Sequence, residues 1–158
     1  MRPVLDACCG SRMFWYDKGD DRCIFCDIRE ETHTCDTRPG RSDTVIAPDK
    51  IEDFTNMPWY DDTFFHIVFD PPHTLKMSPT TRTVKKYGTL DDSWERTLRK
   101  GFSECFRVLR PGGTLIFKWS EINIPLREVL TLTPEKPLYG HRSGRQQKTH
   151  WIAFIKGD

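Results

Sequence analysis

Apolar residues along this chain fall into short runs that stop at acids, glycines or prolines, and one long segment repeats them at helical spacing. Pro3-Val4-Leu5-Asp6-Ala7-Cys8-Cys9-Gly10-Ser11 reads as a buried strand and a tight turn, with Ser11 to Tyr16 starting a short helix. Arg22-Cys23-Ile24-Phe25-Cys26 is a second strand, ending in Asp27. From Ile28 to Lys50 the chain turns polar, through Arg29, Glu30, Glu31, Arg38, Pro39, Gly40 and Arg41, and reads as a loop or poorly ordered excursion. Val45-Ile46-Ala47 begins the next unit. Phe64 to Phe69 is too apolar for a solvent-facing strand and predicts a buried one.

Asp92-Ser93-Trp94-Glu95 marks a helix start, with Asp92 as cap and Glu95 three residues on. Trp94, Leu98, Phe102, Cys105, Phe106 and Leu109 then recur at helical spacing and should face a sheet. Arg110-Pro111-Gly112-Gly113 ends that helix, and Thr114 to Trp119 is a further strand. Pro125 to Leu132 suggests a short helix. Leu138 to His141 and His150 to Ile155 pair across a polar turn carrying Arg142, Arg145 and Lys148. Strands separated by helical or irregular segments imply an α/β fold with a mostly parallel sheet.

Phe69-Asp70-Pro71-Pro72-His73 is hard to explain as packing. The prolines donate no backbone hydrogen bond and force extended geometry, so the strand must stop there. What remains is a rigid loop at a strand's carboxyl end, presenting a carboxylate, free carbonyls and an imidazole. In open α/β sheets ligands sit at that edge. Asp27 stands at the tip of the second strand, about 20 residues past the first turn, where nucleotide-binding folds place a ribose-hydroxyl binder.

With 158 residues the chain suits one domain, 1–158, with the polar excursion at 28–50 and a second polar segment at 74–89. A net charge of +1, from 24 basic and 23 acidic side chains, excludes a global polyanion-binding signature, so any such contact must be local. No long apolar span or charged-then-apolar leader is present, which argues for a cytoplasmic chain without membrane contact. The six cysteines look like reduced interior thiols. Cys23, Cys26, His33 and Cys35 are residue types a zinc site would use. However, strand residues three apart face opposite sides, so zinc is the minor reading and no metal is assigned.

Leu5-Asp6-Ala7-Cys8-Cys9-Gly10, Asp27, Asp53-Phe54-Thr55-Asn56-Met57-Pro58-Trp59 before Asp61-Asp62-Thr63-Phe64, and Val108-Leu109-Arg110-Pro111-Gly112-Gly113-Thr114-Leu115 together resemble the class I, Rossmann-like S-adenosylmethionine methyltransferases. The resemblance covers nearly the whole chain. It implies a seven-stranded, mostly parallel sheet with helices on both faces and a C-terminal antiparallel hairpin. It also implies S-adenosyl-L-methionine as cofactor, with Asp6, Ala7, Cys8 and Gly10 around its methionine part, Asp27 on the ribose, and Asp53 and Phe54 at the adenine. Where that family's first loop has several glycines, this chain has Cys8, Cys9 and Gly10, small enough to take their place.

Asp70-Pro71-Pro72-His73 resembles the acid-Pro-Pro-aromatic loop of amino-methyltransferases that act on adenine N6, cytosine N4 or a glutamine amide. The resemblance implies that Asp70, Pro71, Pro72 and His73 are the catalytic residues. His73 departs from the usual Tyr, Phe or Trp, which leaves the acceptor more open than the reaction. An acid at the first position favours a nucleic-acid base, DNA or RNA, with adenine N6 foremost. Lys76, Arg82, Lys85, Lys86 and Tyr87 in the 74–89 loop would form a substrate lid, cations for phosphates beside a ring for a base. A plain solvated connection accounts for them equally well. Trp119 and Glu121, at the next strand's tip, would line the pocket. The short stand-alone form, monomer or homodimer, resembles methyltransferases of phages and prophages. A protein or small-molecule methyltransferase is the alternative, and a non-catalytic nucleic-acid or metal-binding module a second.

Overall fold

The computed structural model describes residues 2–34 and 43–157. In chain order its elements are β1 (Val4–Asp6), β2 (Cys23–Asp27), β3 (Glu31–His33), β4 (Thr44–Ile46), β5 (Lys50–Ile51), β6 (Phe64–Phe69), α1 (Arg82–Tyr87), α2 (Trp94–Val108), β7 (Leu109–Ser120), α3 (Leu126–Leu130), β8 (Tyr139–Ser143) and β9 (Thr149–Ile155). Seven strands form one sheet in the order β5-β2-β1-β6-β7-β9-β8. All neighbours are parallel except β7–β9 and β8–β9, so the sheet closes on the expected antiparallel hairpin. The strand order reverses between β1 and β6, and such a switch point opens a crevice at the carboxyl ends of its strands.

The apolar stripe of α2 explains one face of the sheet. Leu98, Phe102, Cys105 and Phe106 are buried against Leu5, Ile67, Phe69, Leu115, Phe117 and Phe154, and Val129 of α3 joins the same core. Alternation puts Val4, Phe25, Val68 and Lys118 on the other face, where the sequence predicts a helix over 11–16. Residues 7–22 fold as turns instead, and Arg12 at φ 53° cannot belong to a right-handed helix. Trp15 stacks edge-on to Phe25 at 4.8 Å and Phe14 to Trp151 at 5.2 Å. Rings on a loop therefore cover part of this face, and helices α2 and α3 cover only its opposite.

Three further expectations change. The polar excursion contains an antiparallel pair, β3–β4, as well as the edge strand β5. Ser93, not Asp92, stands at the start of α2, held by Asp91 Oδ1, which accepts from its N and Oγ at 2.8 and 2.6 Å. The Arg110–Gly113 turn lies inside β7, where a Cβ on Gly113 would sit 2.8 Å from the Arg110 carbonyl oxygen, a fit that only glycine allows.

The five cysteines among the described residues are unpaired. Cys23 and Cys26 are buried in different clusters, and no group of three metal-ligating side chains occurs among the described residues; Cys35 lies outside them. No helix among them is long and apolar enough to cross a membrane.

Candidate active site

Asp70, Pro71, Pro72 and His73 leave the carboxyl end of β6 and line a narrow cleft of about 80 Å³. Cys8, Gly10, Asp27, Phe54, and Lys86 and Tyr87 of α1 line it too. The two strand tips meet because Gly10, in the left-handed region at φ 50°, turns its N–H onto Asp27 Oδ2 at 2.9 Å. Asp27 Oδ1 accepts from the backbone N and Nε of Arg29 at 3.0 and 3.2 Å. Arg29 then reaches across to the Lys85 carbonyl at 3.2 Å, tying α1 to the tip of β2.

The 74–89 segment contains the short helix α1 between ends that bond to each other. Thr74 Oγ1 donates to the Gly88 carbonyl at 3.1 Å, and the Leu90 N–H donates to the Thr74 carbonyl at 2.8 Å, so the ends of the excursion are joined. Gly88 has φ 74°, and a Cβ there would come within 3.1 Å of Pro72. The excursion is thus fitted against the Asp70–His73 loop.

The electrostatics centre on buried acids. Asp70 pairs with Lys118, Nζ to Oδ2 at 2.6 Å. Burial still leaves the Asp70 carboxyl above its ordinary pKa, although Lys118 pulls it down. Asp6 is fully buried, and burial pushes it up to about 7, against the Trp15 N–H that donates to Oδ2 at 2.7 Å and the Cys8 N–H on Oδ1. His73 is driven down to about 4 by burial and then by Lys118, so its ring is neutral at physiological pH. It lies 5.7 Å from the Tyr87 ring and edge-on to Trp119 at 6.3 Å. A neutral imidazole beside a phenol ring can both stack on and hydrogen-bond to a planar acceptor.

Of the predicted residues, Cys8, Gly10, Asp27, Phe54, Asp70, Pro71, Pro72, His73, Lys86 and Tyr87 line this cleft. Asp6 and Ala7 lie buried at the base of the first turn. Asp53 is exposed, its Oδ1 accepts from the Thr55 N–H at 2.8 Å, and it does not itself line the cleft as its neighbour Phe54 does. Lys76 pairs with Asp92, and Arg82 and Lys85 point to solvent from α1. Trp119 is core: it is fully buried, with Nε1 donating to the Ile124 carbonyl at 3.0 Å. Glu121 lies 3.0 Å from His150 Nε2 and accepts from the Leu126 N–H, a strand-end and helix-start device. Sequence reasoning missed Lys118 and Arg29. The first had a signal, a lone cation near the carboxyl tip of an otherwise apolar strand; the second, one arginine among many, had none.

No protein-family model matches the chain, and no curated protein matches it in sequence. Similarity to solved structures is clear in fold. The N-methyltransferase NodS from Bradyrhizobium japonicum WM9 aligns with a TM-score of 0.59 at 14% identity, over 98% of this chain and 85% of that one. The 1,6-didemethyltoxoflavin-N1-methyltransferase of Burkholderia thailandensis, solved with 1,6-didemethyltoxoflavin and S-adenosylhomocysteine, gives 0.58 at 15% identity over 98% and 71%. A SAM-dependent methyltransferase from Methanosarcina mazei gives 0.54 at 14% identity over 98% and 92%. The chain therefore has the Rossmann-like fold shared by these methyltransferases.

Proposed function

We propose that the chain is an S-adenosylmethionine-dependent methyltransferase acting on an exocyclic amino group of a nucleic-acid base, adenine N6 foremost. The observation that carries this reading is the Asp70-Pro71-Pro72-His73 loop at the switch point, lining one cleft together with Gly10 and Asp27. The residues fit the cofactor: a small-residue turn allows close backbone approach, Asp27 stands at the second strand tip, and Phe54 offers a ring in the cleft lining. Ala7, Cys8, Gly10, Asp27 and Phe54 would hold it, with Asp6 supporting the turn from below. When bound, the cofactor supplies an electrophilic sulfonium methyl.

The chain's own contribution is position and electrostatics. An amino group conjugated to a base is a poor nucleophile because its lone pair is delocalised. Asp70 and the Pro71 carbonyl would each accept one of its N–H bonds, holding the nitrogen in place and favouring pyramidal geometry. His73 and Tyr87 would stack on a base brought out of its strand.

Calorimetry with S-adenosylhomocysteine tests the cofactor, and mass spectrometry of nucleosides from treated DNA and RNA names base and position together. Asp70→Ala is expected to lower methyl transfer by roughly 10²-fold or more while S-adenosylhomocysteine affinity stays near that of the unmodified protein. Equal loss of both would mean that the loop shapes the cofactor site instead. A small-molecule acceptor is the rival reading, favoured by the Arg29 tie that holds α1 over the cleft. Label transferred to a metabolite fraction and not to nucleic acid would decide for it.

A further inference from the structure

Lys118 is the one cation on β7 between Thr114 and Ser120, and it stands on the same face as Val68 and Asp70. Its side chain is only 20% exposed and its Nζ lies 2.6 Å from Asp70 Oδ2. Two rings hold the ammonium there, Phe14 at 5.2 Å and Trp151 at 5.5 Å to their centroids. Asp70 Oδ1 receives no hydrogen bond among the described residues, and Asp70 and Lys118 both border the cleft. A central strand stabilised only by packing would carry an apolar residue here, since a buried ion pair seldom outdoes one.

We propose that Lys118 is a positioning residue for Asp70: it immobilises one carboxylate oxygen and holds the group ionised, leaving the other oxygen to accept an N–H of the acceptor amine. This rests on the amino-group reading above. Ionisation needs such help because burial penalises the charged carboxylate. Asp6 from β1 disfavours a second negative charge beside it, Cys8 of the first turn and His73 of the same loop are uncharged, and Lys86 borders the cleft from α1 as a further cation.

The test is a carbon-13 NMR titration of the Asp70 carboxyl in cofactor-free protein, assigned by its loss in Asp70→Asn, alongside the pH profile of methyl transfer to mixed single-stranded DNA and RNA. In Lys118→Met the Asp70 midpoint moves up by at least about one pH unit. The acid limb of the rate moves with it, and S-adenosylhomocysteine affinity holds. Lys118→Arg, which keeps the charge, returns the midpoint toward that of the unmodified protein. In the unmodified protein the Lys118 ammonium resonance shifts with the same midpoint as Asp70, a coupling that needs no variant. An Asp70 midpoint unmoved by Lys118→Met, or a Lys118 resonance blind to the Asp70 titration, overturns the proposal. Absence of methyl transfer from unmodified protein at every pH defeats the amino-group reading and leaves the NMR result to judge the Lys118–Asp70 coupling by itself.

Discussion

Asp6 is an acid in a place that favours its neutral form. It is fully buried, with two N–H donors only partly offsetting the lost solvation, and its pKa stands near 7 against an ordinary 3.8. A raised folded-state pKa in an acid means that the ionised form weakens the fold. The penalty is absent below about pH 4, where Asp6 is protonated folded or unfolded, grows between pH 4 and 7, and is complete above 7. Each unit of that shift is worth about 1.4 kcal/mol. Asp6→Asn keeps an oxygen for the Trp15 N–H and removes the titration. Its melting temperature relative to the unmodified protein should therefore climb by roughly 5 °C or more between pH 4.5 and pH 8. A difference that stays flat with pH would mean that Asp6 is not raised. The presence of an acid here was legible in the sequence, since an apolar run ending in Asp beside small residues is an unusual strand end. Its burial was not, because the Trp15 ring that closes over it belongs to a segment read as helix.

Elements whose burial repeats with the period of their backbone were the ones sequence could locate. The stripe Trp94, Leu98, Phe102, Cys105 and Phe106 gives α2, and the unbroken apolar run gives β6. Where contacts are between distant segments the pattern is silent. Met13-Phe14-Trp15-Tyr16 has the apolar content of a short helix, but its Phe14 and Trp15 rings are used to cover the sheet from a turn. Part of what holds 74–89 comes from Arg29, which no local pattern links to α1. That contact carries its own consequence. Arg29→Ala removes the guanidinium from the Lys85 carbonyl without touching the core, so amide hydrogen exchange over residues 82–90 should speed up several-fold while α2 and β6 stay protected. Uniform exchange across the chain would mean that α1 is held by its joined ends alone.

At the scale of the whole molecule the charges cancel in number and not in place. The carboxyl edge of the parallel strands carries the cleft, with Lys86 in its wall and Arg82 and Lys85 on the same short helix. The β8–β9 turn emerges at that edge as well, because Ser120 at the carboxyl end of β7 pairs with Thr149. Its Arg142, Arg145 and Lys148 are exposed. Arg96, Arg99 and Lys100 are exposed too, but along α2, away from the cleft lining. A chain of net charge +1 can therefore hold a polyanion only at a local patch, and the patch around the cleft is where the proposed substrate requires it. Each phosphate contact with a single strand contributes about 0.7 to the slope of log affinity against log salt. Replacing Arg82, Lys85 and Lys86 together by Gln should weaken binding of a fluorescent single-stranded oligonucleotide and flatten that slope by roughly 2. The same change at Arg96, Arg99 and Lys100 should leave the slope alone. If both triple variants flatten it equally, binding is a property of overall charge and not of the cleft, and the acceptor must be sought among small molecules.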